Sequence, residues 1–274
     1  LSCGRRFPPR CRERRVSKRR ALVTGGAGFI GSHVADALAS GGYEVTALDD
    51  LSTGRRQNVA PEVRLEELDI RSPEAARLVQ TGGFDVVCHL AAQIDVRKSV
   101  ADPVADAGRN ILGTLNLLEA ARQVAKRPRF IFSSTGGAIY GDFAEPPSDE
   151  TEPKDPESPY GIAKLAAEYY LAYYGRVHKL DVVALRYANV YGPRQDVKGA
   201  FTQILPKWLD RIDNGLPLEI YGDGSQTMDF IFVKDVARSN ITALQSNIEY
   251  GFYNIGSGIE TSVNEFANLV LELT

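Results

Sequence analysis

From Arg20 onward, short runs of β-branched and aliphatic residues alternate with stretches whose apolar positions recur every three or four residues. The runs Ala21–Thr24, Glu44–Leu48, Val63–Leu68, Val86–Leu90, Phe130–Ser133 and Val182–Tyr187 read as strands. Between them, Ile30–Ala39 places Ile30, Val34 and Leu38 on one helical face, and Ile111–Val124 does the same with Ile111, Leu115, Leu118 and Ala121. Strands alternating with helices predict a parallel sheet covered on both faces. Right-handed crossovers make it a doubly wound α/β fold of the Rossmann type.

The segment 142–159 is rich in Pro, Asp, Glu and Ser and reads as a surface loop leading into a helix that Ser158 caps and Pro159 opens. After Tyr191-Gly192-Pro193 the pattern changes: a longer loop, a helix near Phe201–Ile212 and a strand at Leu218–Tyr221. Three regions are therefore expected. Residues 1–19 form a basic extension, 20–189 a nucleotide-binding domain, and 190–274 a smaller α/β substrate region interleaved with the sheet.

The chain has 274 residues, 43% of them apolar, enough to bury a full core. No stretch approaches the roughly 18 apolar residues needed to span a bilayer, and no apolar run follows the basic first residues. The expectation is a cytoplasmic protein that is not bound to a membrane. The net charge of −3 hides an asymmetry: residues 1–20 carry nine Arg or Lys and one Glu, leaving 23 basic against 34 acidic residues in the rest. The body is thus not expected to bind nucleic acid. The Arg- and Pro-rich head reads as a disordered extension or a start-site artefact, with a polyanion-binding arm or targeting peptide as the alternative. Cys3, Cys11 and Cys88 make no disulfide framework or zinc spacing, and His33, His89 and His178 are dispersed, so no metal site is expected. Cys88, in an apolar run, reads as a small buried hydrophobe.

Candidate chemistry begins with Gly25-Gly26-Ala27-Gly28-Phe29-Ile30-Gly31, which follows one predicted strand and opens a helix. Here the backbone must turn tightly and approach a diphosphate, which excludes a Cβ, while the helix N-terminus supplies N–H groups and partial positive charge. Asp49 ends the second strand, 18 residues after Gly31. A carboxylate there accepts hydrogen bonds from an adenosine ribose and repels a 2′-phosphate, favouring NAD over NADP; Asp50 could substitute for it.

Tyr160 and Lys164, four apart at a helix start, share one face, where a neighbouring ammonium favours the phenolate and so a general base. The third member should come from the exit of Arg129–Thr135. Its hydroxyls are Ser133, Ser134 and Thr135; Thr135 is the better candidate, and Ser133 and Ser134 could simply satisfy loop backbone.

Together, Thr-Gly-Gly-Ala-Gly-Phe-Ile-Gly at 24–31, Leu-Ala-Ala at 90–92, Ser-Ser-Thr-Gly-Gly-Ala-Ile-Tyr-Gly at 133–141, Tyr160-x-x-x-Lys164 and Arg186-Tyr-Ala-Asn-Val-Tyr-Gly-Pro-Arg194 resemble the extended short-chain dehydrogenase/reductases. The resemblance is greatest to the UDP-glucose 4-epimerase group of NAD-dependent epimerases and dehydratases, and runs from about Arg20 to the end. It implies a tightly held NAD⁺ that oxidises C4 of a nucleotide sugar to a ketone and then restores hydride on the other face. By position, Tyr160 is the base, Lys164 holds the nicotinamide ribose and lowers the tyrosine pKa, and Thr135, with Ser134 beside it, is the hydroxyl partner.

The same resemblance assigns Gly25, Gly28, Phe29, Ile30, Gly31, Asp49 or Asp50, Leu90, Ala91, Ala92, Asn110, Ser133, Tyr187 and Val190 to the cofactor, alongside Tyr160 and Lys164. Asp69 and Ile70 meet its adenine. Asn189 touches the diphosphate of a UDP-sugar, with Arg194 as a further substrate contact, and the helices around 103–125 and 159–177 make a homodimer. Where the family's dehydratases carry Asp-Glu after the Thr, and its decarboxylases a Glu, this chain has Gly136-Gly137, which favours simple epimerisation. Other reductases or lyases of the family, and a non-catalytic NAD-binding relative, are the alternatives. Two departures stand out. Met228 occupies the place of an Arg that often binds the diphosphate, and the chain ends at Thr274 within a predicted helix, so the substrate region is expected to be incomplete.

Overall fold

A seven-stranded parallel sheet organises the computed structural model, which describes residues 18–141, 146–196 and 204–274. In chain order the elements are β1 (Arg20–Thr24), α1 (Phe29–Ser40), β2 (Glu44–Asp49), β3 (Arg64–Glu67), α2 (Pro73–Thr81), β4 (Val86–His89), α3 (Val96–Ala101), α4 (Pro103–Ala107), α5 (Gly113–Gln123) and β5 (Arg129–Thr135). There follow α6 (Pro159–His178), β6 (Val182–Tyr187), β7 (Asn189–Tyr191), α7 (Ile204–Asp213), β8 (Thr227–Met228), β9 (Phe230–Phe232), α8 (Val233–Gln245), β10 (Tyr250–Ile255), β11 (Thr261–Ser262) and α9 (Val263–Leu273). The sheet order is β10-β6-β5-β4-β1-β2-β3. The order reverses between β4 and β1, so a crevice opens at their carboxyl ends, where doubly wound sheets bind ligands.

The doubly wound expectation holds, and its cause is visible in the burial. Leu22, Val23, Ala47, Leu48 and Val87 are fully buried, since both sheet faces are covered. One face packs Ala21, Val23, Val45, Ile131 and Leu185 against Val34 and Leu38 of α1 and Val236 of α8. The other packs Leu22, Phe130 and Phe132 against Leu117 and Leu118 of α5 and Leu171 of α6. Cys88 is wholly buried in β4, and burial pushes its thiol up to about 12, so it is a packing residue. A third, smaller cluster gathers Trp208 of α7 with Val263, Phe266 and Val270 of α9.

Several elements differ from the sequence reading. Leu218–Tyr221 is not a strand: no neighbour pairs with it, and Leu218 and Ile220 instead pack on the Trp208 cluster while the Trp208 indole donates to the Glu219 carbonyl at 2.9 Å. The helix expected from Phe201 begins among residues outside the described ones and is seen as α7. Ile111–Val124 starts as a π-helical turn, Gly108–Leu112, before α5. Three helices went unread: α2, capped by Ser72; α3, capped by Asp95; and α8. So did β10, which returns the chain to the sheet beside β6. Of the basic extension, residues 1–17 lie outside the described residues. Among those described, no helix is long and apolar enough to cross a membrane.

Candidate active site

The glycine loop fits its expected task. Gly25 has φ +69°, and a Cβ there would lie 2.8 Å from the Ala91 nitrogen; a Cβ on Gly31 would lie 2.1 Å from the Gly25 carbonyl oxygen. The loop is thus pressed against the exit of β4 on one side and α1 on the other. Gly28, the residue before α1, has no side chain to cap it, so the first N–H groups of the helix are left for an anion.

Asp49 faces this loop: it is 6% exposed, one oxygen accepts from the Ala27 N–H and the other from Leu51, both at 2.9 Å. Burial raises its pKa, and those N–H groups oppose the rise. Asp50 is exposed and accepts from Ser52, so of the two carboxylates Asp49 is the one the fold aims at the cradle. Asp69 lies at the exit of β3, its carboxylate paired with Arg71 at 2.5 Å, and Arg71 holds it below the usual carboxylate range. Ile70 is buried, its carbonyl accepting from Asn116 at 2.7 Å.

Leu90, Ala91 and Ala92 leave β4, and the Ala91 N–H donates to Thr24 Oγ1 at 3.2 Å. Asn110 clamps the next turn: its Oδ1 accepts from the Gln93 N–H at 2.8 Å, and its Nδ2 donates to the Gln93 carbonyl at 2.9 Å and to Asp106 at 3.0 Å. It does so from the π-helical turn, which shifts the helix phase locally.

At the exit of β5 the three hydroxyls go to three different partners. The Thr135 side chain hydrogen-bonds the Tyr160 phenol. Ser133 turns to the opposite layer and bonds the buried Tyr187 phenol, which also accepts from Asn240 at 2.8 Å. Ser134, grouped with the catalytic residues on sequence, points under α6 and donates to Glu168 at 2.5 Å; the structure does not bring it to Tyr160.

The cap expected for α6 is present. Ser158 Oγ accepts from the Gly161 N–H at 3.1 Å, and Pro159 occupies the first turn. Lys164, 4% exposed, donates to the Ser133 carbonyl at 2.8 Å and lies 4.7 Å from the centre of the Phe132 ring. Burial lowers its pKa to about 8, against which Asp106 and then Glu168 act. The expected lowering of the tyrosine is not what this arrangement gives. Burial first, and the Asp106 charge second, push the Tyr160 phenol above its ordinary value, with the Thr135 bond opposing.

The remaining predicted residues are spread more widely. Val190 is buried in β7, and Asn189 opens that strand with its N–H bonded to Asp229. Arg194, with φ +67°, ion-pairs with Asp36 of α1 at 2.8 Å, so its guanidinium is already engaged. Met228 packs against the Trp208 cluster. A Cβ at Gly137 would meet nothing within 4 Å, and neither Gly136 nor Gly137 has a left-handed backbone, so packing does not demand that pair of glycines.

Sequence reasoning missed a buried polar network beneath the site. Arg186, 4% exposed in β6, makes two hydrogen bonds to Glu168 at 3.0 and 2.7 Å and one to the Tyr140 hydroxyl at 2.9 Å. An Arg within Val182-Val183-Ala184-Leu185-Arg186-Tyr187 was the available signal, since a charge in a buried strand requires a partner. Glu168, four residues beyond Lys164 on the same helical face, was the place to look for it. His89 belongs to the same buried layer. Its ring bridges Thr24 Oγ1 at 2.6 Å and Thr114 Oγ1 at 2.9 Å, and burial lowers its pKa to about 3.

A pH dependence of stability follows. His89 stays neutral in the fold but protonates near pH 6.5 when unfolded, so its contribution is complete above that pH and is lost as pH falls toward 3. About 3 kcal/mol should vanish between pH 7 and 4.5 on this account. Urea unfolding at the two pH values measures it, and a His89→Asn variant should lack that part of the slope.

The arrangement sets a dinucleotide cradle and a hydroxyl–phenol–ammonium group at the carboxyl edge of one parallel sheet. The model of the NAD-dependent epimerase/dehydratase family matches residues 21–256. The chain belongs to that family. A putative UDP-glucose 4-epimerase of Methanocaldococcus jannaschii is 44% identical over 91% of this chain and 80% of its own. The UDP-glucose 4-epimerase of Thermotoga maritima, solved with UDP-glucose, superposes with a TM-score of 0.89 at 43% identity, over 93% of this chain and 82% of that one. The UDP-glucose 4-epimerase of Thermus thermophilus, solved with NAD, does so with a TM-score of 0.85 at 43% identity, over 92% and 82%. The resemblance seen in the motifs is thus that of an epimerase-family enzyme using NAD.

Proposed function

We propose that the chain is an NAD-dependent 4-epimerase of UDP-sugars, carried by the Thr135–Tyr160 contact at the same carboxyl edge of the sheet as the glycine cradle. NAD⁺, when bound, would supply the hydride acceptor and a positive charge. Asp49 and the first N–H groups of α1 hold the cofactor's ribose and diphosphate. Lys164, fixed by the Ser133 carbonyl, holds the nicotinamide ribose. Thr135 orients the sugar's 4-hydroxyl, and Tyr160 takes its proton as C4 becomes a ketone. Once the sugar has turned over, Tyr160 would return that proton to the C4 oxygen, restoring the alcohol. Gly136-Gly137 supports this reading over dehydration, because no extra acid and base stand beside Thr135.

The test incubates the protein with NAD⁺ and a panel of UDP-hexoses and UDP-hexuronates while proton NMR follows the C4 configuration. Interconversion of a C4 pair without net NADH is expected. Every sugar unchanged, with NAD bound, would sink the proposal.

The family's dimer is proposed for this chain as well. The outer face of α6 exposes Ile162, Tyr169, Tyr170, Tyr173 and Val177, and Val104 and Leu112 are exposed on the segments beside it. Such a cluster is larger than solvent-facing helices usually carry. Tyr169→Glu would bury an unpaired carboxylate in that interface, raising the dimer dissociation constant about 100-fold or more. Light scattering should show twice the chain mass for the parent protein and once for the variant; a monomeric parent would refute the dimer.

A further inference from the structure

Asp106 is a buried carboxylate that the reaction outlined above does not use. It is 2% exposed on α4, which packs against α6. Its Oδ1 accepts from Gln93 Nε2 at 2.9 Å and from Asn110 Nδ2 at 3.0 Å, both neutral donors. Its Oδ2 is buried with no hydrogen-bond partner. A buried carboxylate lacking a cation of its own is expensive to keep unless its charge serves another group.

We propose that Asp106 is a positioning residue of the active site, a buried counter-charge set on α4 against the helix that carries Tyr160 and Lys164. The inference rests on the epimerase reading of the same site. Two carboxylates reach Lys164 electrostatically, and Glu168 is already neutralised by Arg186, which leaves Asp106. The other ionisable groups on elements around α6 do not compete. His89 is held neutral, Asp95 caps α3, Arg97, Lys98 and Arg109 are exposed, and Glu119 pairs with Arg122. Asp106 also acts on Tyr160, in the direction that keeps the phenol protonated. The two effects together make base formation wait for added positive charge in the crevice.

Asp106→Asn tests this, because it removes the charge and keeps an oxygen for Gln93 and Asn110. Loss of a negative neighbour lowers the pKa of both Tyr160 and Lys164. Both limbs of the kcat/KM profile, the acid one set by the base and the alkaline one by the ammonium, should therefore move together to lower pH. Asp106→Glu, which keeps the charge, should return the limbs to their wild-type positions. A purely structural role would lower the height of the curve and leave its limbs in place, overturning the proposal.

A second readout does not need turnover. The NMR resonance of isotope-labelled Lys164, assigned by its absence from Lys164→Arg, should titrate at lower pH in Asp106→Asn than in the parent; equal midpoints would also overturn the proposal. If the parent turned over no sugar, the epimerase reading would fail, while the lysine titration would still decide the role of Asp106.

Discussion

Tyr160→Phe is expected to lower kcat by about 10²- to 10⁴-fold, the usual range for loss of a positioned acid–base group, and to leave NAD binding nearly intact. The phenol hydroxyl is the group to remove because Thr135, at the exit of β5, is its hydrogen-bonding partner. The ring itself is retained in Phe, so the packing at the start of α6 stays and the fold should unfold at the same temperature within a degree or two. The proposed task of the hydroxyl is to carry a proton and not to hold the cofactor, so cofactor retained through gel filtration should match the parent. Turnover within tenfold of wild type would remove Tyr160 from the reaction. Loss of both NAD and turnover would mean that the hydroxyl holds the cofactor, not the proton.

Much of this site was legible before the fold was known, and the reason is covalent nearness. The glycines of 25–31, the Tyr160–Lys164 pair and the Ser133–Thr135 hydroxyls each sit within one turn or one strand end, where spacing alone fixes geometry. Strands β1, β2, β4, β5 and β6 were legible for a similar reason, since burial on both faces leaves short apolar runs. What was not legible is set by distant contacts. Tyr250–Ile255 contains Gly251 and Asn254 and joins the sheet only because β6 offers a free edge. Leu218–Tyr221 has the composition of a strand and no edge to join. Asp106 has no motif around it, and its position beside α6 depends on the packing of α4 and on the π turn that follows. The same applies to the ionisation of Tyr160. Sequence spacing places an ammonium four residues away, but it does not show that the fold buries the phenol, which raises its pKa, or that it brings the Asp106 carboxylate to bear on it.

Arg186→Met is expected to be the most destabilising of the substitutions considered, by about 3–5 kcal/mol, because it leaves the Glu168 carboxylate buried and uncompensated. Glu168 and Arg186 are 3% and 5% exposed at the side chain, so solvent cannot take over the lost charge pairing. At about 2–4 °C per kcal/mol for a chain of this size, the midpoint of thermal unfolding should fall by roughly 10 °C. Adding Glu168→Met to Arg186→Met should recover a large part of that loss, since two apolar side chains of similar volume bury no charge. A loss under about 1 kcal/mol in the single variant, or no recovery in the double, would show that the pair is not the buried keystone its geometry implies.

The same substitution also reaches the site. Arg186 donates to Tyr140, whose hydroxyl donates to Asn254 at 2.8 Å; Asn254 in turn binds the Ser148 carbonyl at 3.0 Å and, through its N–H, Glu150 at 2.8 Å. On its other side the chain of bonds runs through Glu168 to Ser134, the residue before Thr135. Arg186 therefore fixes the loop that leads into α6 and the strand end that presents Thr135 by one set of contacts. Turnover in Arg186→Met at a temperature where it is fully folded should fall as well, and should return with stability in the double variant only as far as Thr135 regains its place against Tyr160.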